Sequence, residues 1–295
     1  MKLGYPCINR SIGCAANRKF RLASYSEDKL VDIVTNNLDC MHKILKYNLD
    51  NDLFFFRLSS DTVPFASHPI CDFDWVDHFR FELHDIGRFI IGNDMRISMH
   101  PDQFILLNSP DEGITQRSIA ELEYHCKLLD AMGLDSTAKV QIHAGGIYKD
   151  RELAVERFVE RYESLDPGLR KRLVVENDDR LYSLRDCLLI NDLCGIPIIF
   201  DSFHHECLNN GESFPSVMGD AASTWGKGDG VPMIDYSNQQ PGARKGKHAT
   251  SLDIGHFRDF LEDVREFDLD IMLEVKDKEK SALEAIVIMK ELGLA

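Results

Sequence analysis

The chain has 295 residues and a formal charge of -15 at pH 7, a length over which α/β barrels of about 250 residues commonly stand as one domain. Its longest apolar runs fall well short of the roughly 18 residues a membrane span needs, and the opening "MKLGYPCINR" has neither the apolar stretch nor the flanks of a secretory signal. The acidic excess argues against general adhesion to nucleic acid or anionic lipid, because the far field repels polyanions.

These features point to a single-domain cytoplasmic protein over residues 1–295, with no membrane association and no obligate protein partner evident. A phosphate-bearing substrate would need local positive charge, from bound metal ions or from the basic runs "NRKFR" at 17 and "ARKGK" at 243. Eight cysteines at 7, 14, 40, 71, 126, 187, 194 and 207 form no CxxC pair. Reduced thiols are therefore expected, without a disulfide framework or zinc knuckle.

In chain order, short apolar runs predict buried strands at "KLGYP" near 2, "LFFFRLSS" at 53, "RISMH" at 96, "KVQIHA" at 139, "RLVVEN" at 172, "IPIIFD" at 196, "VPMIDY" at 231 and "DIMLEV" at 270. Helical stripes lie between them. Leu30, Ile33, Val34, Leu38, Met41 and Leu45 share one face behind a Ser24/Glu27 capping box, and further stripes cover about 74–90, 114–132, 150–163, 181–193, 255–266 and 279–292. The stretch 205–230 is too long for an ordinary connection and reads as a working loop. Eight strands alternating with helices favour a (β/α)8 barrel (TIM barrel) over an open doubly wound sheet. Neither GxGxxG nor GxxxxGK[ST] occurs, which weakens nucleotide-binding versions of the open fold.

His100, His143, Glu176, Asp201 and Glu274 each stand where a predicted strand gives out, with nothing comparable at the strand starts. The C-terminal mouth of a barrel brings such positions together. Asp235 ends the seventh strand, while His68, His204 and His248 follow strands closely. Packed strand residues should be apolar, and gathered carboxylates need a cation, so these nine predict a metal centre of two or three ions. Imidazole and carboxylate without thiolate point to Mn, Zn or Fe. Glu176, Glu274 and His143 are taken as its catalytic members. His42, His78, His84, His125, His205 and His256 fall outside the pattern. Such a centre suits phosphoester hydrolysis, or proton and hydride shifts in a sugar isomerase or epimerase.

The ordered motifs "LGYPCIN", "RLSSDTVPFASHP", "SMHPDQF", "HAGG", "VVENDD", "FDSFHH" and "LEVKDKE" resemble the UV damage endonuclease family, related to endonuclease IV and the xylose isomerase-like barrels. The resemblance implies a DNA repair endonuclease that nicks duplex DNA immediately 5′ to cyclobutane pyrimidine dimers and 6-4 photoproducts, with abasic sites as further substrates. It implies manganese, with His68, His100, His143, Glu176, Asp201, His204, His248 and Glu274 as ligands. It also implies a Gln103–Phe104 wedge that fills the space of an extruded dinucleotide, and lesion-side contacts from Tyr5 and Asn9. Where the family has Lys-x-His in the seventh strand this chain has Met233 and Asp235. A basic rim of Arg10, Arg18, Lys19, Arg21, Arg57, Lys149, Arg244, Lys245 and Lys247 is expected around the mouth, to offset the acidic total.

Overall fold

Strict alternation within each apolar run decides the architecture. In the computed structural model, which describes residues 1–101 and 104–295, eight parallel strands close into a barrel in sequential order. They are β1 Leu3–Pro6, β2 Phe55–Leu58, β3 Arg96–Met99, β4 Lys139–His143, β5 Leu173–Glu176, β6 Ile198–Asp201, β7 Met233–Tyr236 and β8 Asp270–Leu273. The open-sheet alternative is thereby excluded. One parity of each strand, including Tyr5, Phe56, Ile97, Val140, Val175, Phe200, Ile234 and Leu273, joins the large core under the helices. The other parity points inward, where Phe55, Val174, Ile199, Met233 and Met272 form a separate apolar layer. Gly4 is required where β1 meets β2: a Cβ there would lie 1.7 Å from the Phe55 carbonyl oxygen.

The helices are α1 Glu27–Asp50, α2 Trp75–His78, α3 Arg80–Gly92, α4 Glu112–Ala131, α5 Arg151–Ser164, α6 Pro167–Arg172, α7 Leu184–Cys194, α8 Ser202–Cys207, α9 Phe214–Ser223, α10 Ile254–Val264 and α11 Glu279–Glu291. The α1 stripe packs as its spacing predicts, burying Leu30, Val34, Leu38, Met41 and Leu45. Its cap is Ser26, not Ser24: the Ser26 side chain accepts from the Lys29 N–H, while Ser24 ends a separate 3-10 turn. Among the described residues no helix is long and apolar enough to cross a membrane.

Three expectations are corrected by the fold. Cys14 and Cys40 form a disulfide, leaving six free cysteines; the β1–α1 loop folds back on α1, a tertiary contact that spacing does not reveal. The stretch 205–230 is not a loop throughout, since it carries the second half of α8 and all of α9. Its end plugs the closed side of the barrel, where the Trp225 indole donates to the Ile198 carbonyl at 2.7 Å and packs against the inner apolar layer. The strand starts, finally, are charged: Arg96, Lys139 and Asp270 open β3, β4 and β8. Lys139 meets Asp229 at 2.6 Å and lies over the Trp225 ring, as does the Arg96 guanidinium. Each buried charge has an opposite one nearby, Arg96 lying 3.8 Å from Asp270.

Candidate metal centre at the barrel mouth

Inward parity carries polar residues one step above the apolar layer. Arg57, Gln141, Glu176, Asp201 and Asp235 follow Phe55, Lys139, Val174, Ile199 and Met233 by two residues each, and Glu274 follows Met272. His143 on β4 and His100 just beyond β3 rise to the mouth by the same alternation. His204 comes from the first turn of α8, whose cap is Asp201 itself: its carboxylate accepts the His204 N–H at 2.7 Å.

Ligand atoms of His100, His143 and Glu176 lie within 4.8 Å of one another, as do those of Glu176, Asp201 and His204, and those of Asp201, Asp235 and Glu274. Seven of the nine expected ligands are thus gathered, with Glu176 shared between two groups. His248 adjoins them, its Nδ1 3.8 Å from Glu274 Oε2 and its ring 5.6 Å from that of His204. His68 stands apart from these groups. It is exposed beyond β2, its Nδ1 accepts the Ile70 N–H at 3.1 Å, and it lines a cavity of about 920 Å³ shared with His100, Phe65 and Phe104.

Backbone carbonyls fix the imidazoles. Nδ1 of His100, His204 and His248 lies 3.0 Å from the carbonyl oxygens of Gln141, Asn177 and Glu274 respectively. Assigning the Nδ1 proton to each bond leaves the Nε2 lone pair of each ring able to ligate, that of His100 lying 3.2 Å from Glu176 Oε2. Electrostatics show how crowded the acids are. Burial pushes the Asp201 carboxyl well above the usual range, and Glu176, Glu274 and Asp235 push the same way. Burial likewise raises Asp235 to about 7 against the pull of Arg57. Glu176 is held well below the usual range, because His143, His100 and His204 outweigh its burial. Glu274 is lowered to about 2, its burial outweighed first by Arg57.

These residues fit a divalent cation. Asp201 Oδ2, 3.3 Å from His204 Nδ1, and His143 Nδ1, 3.7 Å from Glu176 Oε2, are buried and make no hydrogen bond among the described residues, which is costly unless something binds there, and nitrogen and oxygen donors without thiolate match Mn, Zn or Fe.

Two residues of this layer belong to no strand-end pattern. Arg57, expected on the basic rim, is instead inside the barrel with its side chain 3% exposed, bonded to Asp235, Glu274 and Gln141. It sits at the inward parity of β2, two residues after Phe55. Gln141 donates to Glu176 and Asp235; the signal for it was its place two residues before His143 in "KVQIHA". The other eight rim cations are exposed on the loops after β1, β4 and β7, at the mouth end.

The expected lesion contacts divide. Phe104 is 71% exposed beside the cavity, whereas Gln103 lies outside the described residues. Tyr5 faces the helices, fully buried. Its hydroxyl donates to Asn48 of α1 at 2.6 Å and accepts from Asn9 at 2.9 Å. Asn9 also accepts from the Ser11 N–H. In this structure both side chains are bonded within the fold, and the outward parity of β1 turns Tyr5 toward the helices. His125, set aside on sequence grounds, is fully buried in α4.

A closed parallel barrel with imidazoles and carboxylates converging at its C-terminal mouth defines a TIM barrel with a candidate metal centre where such barrels carry their active sites. Thermus thermophilus endonuclease IV (16% identity, 87% of this chain and 95% of that one, TM-score 0.59) and the D-psicose 3-epimerase of Clostridium cellulolyticum (13% identity, 99% of both chains, TM-score 0.59) share the fold.

Nearer relatives separate the two. The family model for the UV-endonuclease UvdE matches residues 1–294. The UV DNA damage endonuclease of Clostridium perfringens is 40% identical over 99% of this chain and 72% of its own length, and that of Bacillus thuringiensis 34% identical over 88% and 83%. The crystal structure of SacUVDE superposes with a TM-score of 0.96 at 45% identity, covering all of both chains. The chain belongs to the UV-endonuclease UvdE family, and with it to the DNA repair endonucleases.

Proposed function

We propose that this protein nicks duplex DNA immediately 5′ to UV photoproducts, cyclobutane pyrimidine dimers and 6-4 photoproducts first, using a manganese centre at the barrel mouth. The observation that carries this reading is the sharing of Glu176 between His100–His143 and Asp201–His204, at the mouth of a barrel that belongs to the UV endonucleases. His100, His143, Glu176, Asp201, His204 and Glu274 would hold the ions, with His248 alongside. Such ions supply Lewis acidity toward phosphoryl and water oxygens.

The chain's own residues account for the rest. Carbonyl-anchored imidazoles hold the donor set rigid, so little reorganisation accompanies the reaction. Arg10, Arg18, Lys19, Arg21, Lys149, Arg244, Lys245 and Lys247 offer phosphate contacts on the mouth-side loops. They counter locally an acidic total of -15. The exposed Phe104 ring is placed to replace lost base stacking, worth about 1 to 3 kcal/mol per base, where a photoproduct already stacks poorly. Hydrolysis adds water across the P–O3′ bond and leaves a 3′-hydroxyl and a 5′-phosphate.

The test is incubation of the purified protein and Mn²⁺ with an end-labelled duplex holding one defined thymine dimer. A single nick at the 5′ side is expected. An intact duplex alongside epimerisation of a ketose would establish the sugar-epimerase reading instead.

A further inference from the structure

The third acidic group at the mouth, Asp201–Asp235–Glu274, differs from the other two in already containing a cation. Arg57 reaches from β2 to β7 and β8, and the strand between them, β1, contributes only Gly4 and Pro6 to the inner face. One guanidinium nitrogen lies 2.7 and 2.9 Å from the two Asp235 oxygens and 2.8 Å from Gln141 Oε1, and the other bonds Glu274 Oε1. The Gln141 amide adds a third bond to Asp235, at 2.6 Å to Oδ2. Both Asp235 oxygens are therefore engaged within the protein. Asp201 Oδ2, by contrast, is buried and makes no hydrogen bond among the described residues.

We propose that Arg57 is a built-in cation of the metal centre, taking the place beside Asp235 and Glu274 that a third divalent ion would need. The protein then holds two ions, in the two groups that share Glu176, and Asp235 is a counter-ion to Arg57 rather than a ligand. Charge balance supports this assignment. Four inner carboxylates, Glu176, Asp201, Asp235 and Glu274, are met by one guanidinium and two divalent ions with a single positive charge left over, which suits one phosphodiester anion. A guanidinium cannot be deprotonated in proteins, and a divalent ion packed against it would meet strong repulsion in a site this buried. Arg57 is thus a positioning residue, acting through Asp235 and Glu274. The inference rests on the metal-centre reading above.

The experiment is equilibrium dialysis of the full chain against Mn²⁺, counting metal per chain by atomic emission for the parent, Asp235→Asn and Arg57→Gln. The expected counts are two for the parent, two for Asp235→Asn and three for Arg57→Gln, whose loss uncovers both acids. Three ions in the parent, one in Asp235→Asn, or an unchanged two in a folded Arg57→Gln would each overturn it. Should Arg57→Gln fail to fold, as read by circular dichroism, the parent and Asp235→Asn counts still decide. A parent that binds no Mn²⁺ fails the metal centre itself, a result distinct from any of these.

Discussion

Gln141 Nε2 lies 2.5 Å from Glu176 Oε2, and the same nitrogen lies 2.6 Å from Asp235 Oδ2. A single amide on β4 thus orients the carboxylate common to two candidate metal groups. Groups behind metal ligands typically contribute about 10 to 100-fold to affinity. Gln141→Leu keeps the volume and removes both bonds, so Mn²⁺ affinity should fall by roughly that factor in a calorimetric titration. Unchanged affinity would show that Glu176 is held by its imidazoles alone.

Glu176 itself should behave differently. Its carboxylate sits 1% exposed among His100, His143 and His204, away from the exposed loop cations that would grip phosphates. Glu176→Gln is expected to reduce nicking of a dimer-containing duplex by more than the roughly 100-fold seen for groups behind a ligand, while duplex affinity by fluorescence anisotropy stays close to the parent's. Parallel loss of binding would place Glu176 in DNA recognition rather than chemistry.

How far the sequence discloses this site depends on which rule each residue obeys. His100, His143, Glu176, Asp201, Asp235 and Glu274 are legible because a polar residue where an apolar run stops violates the packing rule, and parallel strands force those stops to one end. Arg57 and Gln141 lie inside runs, where inward parity is their one signal; their partners are fixed by closure of the barrel rather than by spacing. The floor around Trp225 is hidden for the same reason: its segment is loop-like in composition and acquires meaning only under Arg96 and Lys139. The motif "LGYPCIN" likewise carries no information on parity, so the bond of Tyr5 to Asn48 of α1 is not legible in it.

Phe104 offers a separate test of the DNA reading. An aromatic ring 71% exposed at the cavity beside His100 contributes little to the core, so Phe104→Ala should leave the melting temperature nearly unchanged. With about 1 to 3 kcal/mol per stacked base at stake, preference for damaged over undamaged duplex should fall about tenfold in competition binding. A drop in stability with preference intact would make Phe104 an anchor of its loop.

His125, which belongs to none of the candidate metal groups, predicts a pH dependence of stability. Burial lowers its pKa from 6.5 to about 4, against a hydrogen bond from its Nδ1 to the Glu121 carbonyl at 2.7 Å; Nε2 lies 3.0 Å from Ser60 Oγ. Between pH 6.5 and 4 the unfolded chain therefore binds the extra proton, and stability falls as pH falls through that window. The full effect is on the order of 3 kcal/mol. In His125→Gln this component should vanish, so urea midpoints of variant and parent should converge on going from pH 7 to pH 4. Parallel pH profiles for the two proteins would contradict it.

The barrel floor sets a final expectation. Lys139 is enclosed, with its ammonium 2.6 Å from Asp229 and 2.7 Å from the Lys171 carbonyl. Removing one partner of a fully buried pair costs about 3 to 5 kcal/mol. Asp229 is 23% exposed and the Lys171 bond remains, so Asp229→Asn should cost less, about 2 kcal/mol, by chemical denaturation at fixed metal concentration. Adding Lys139→Met should recover part of that loss, because no charge is then left unpaired. Nicking of damaged duplex should be unaffected in Asp229→Asn, since this segment closes the end of the barrel opposite the mouth. Lost nicking with full stability would restore the working-loop reading of residues 205–230.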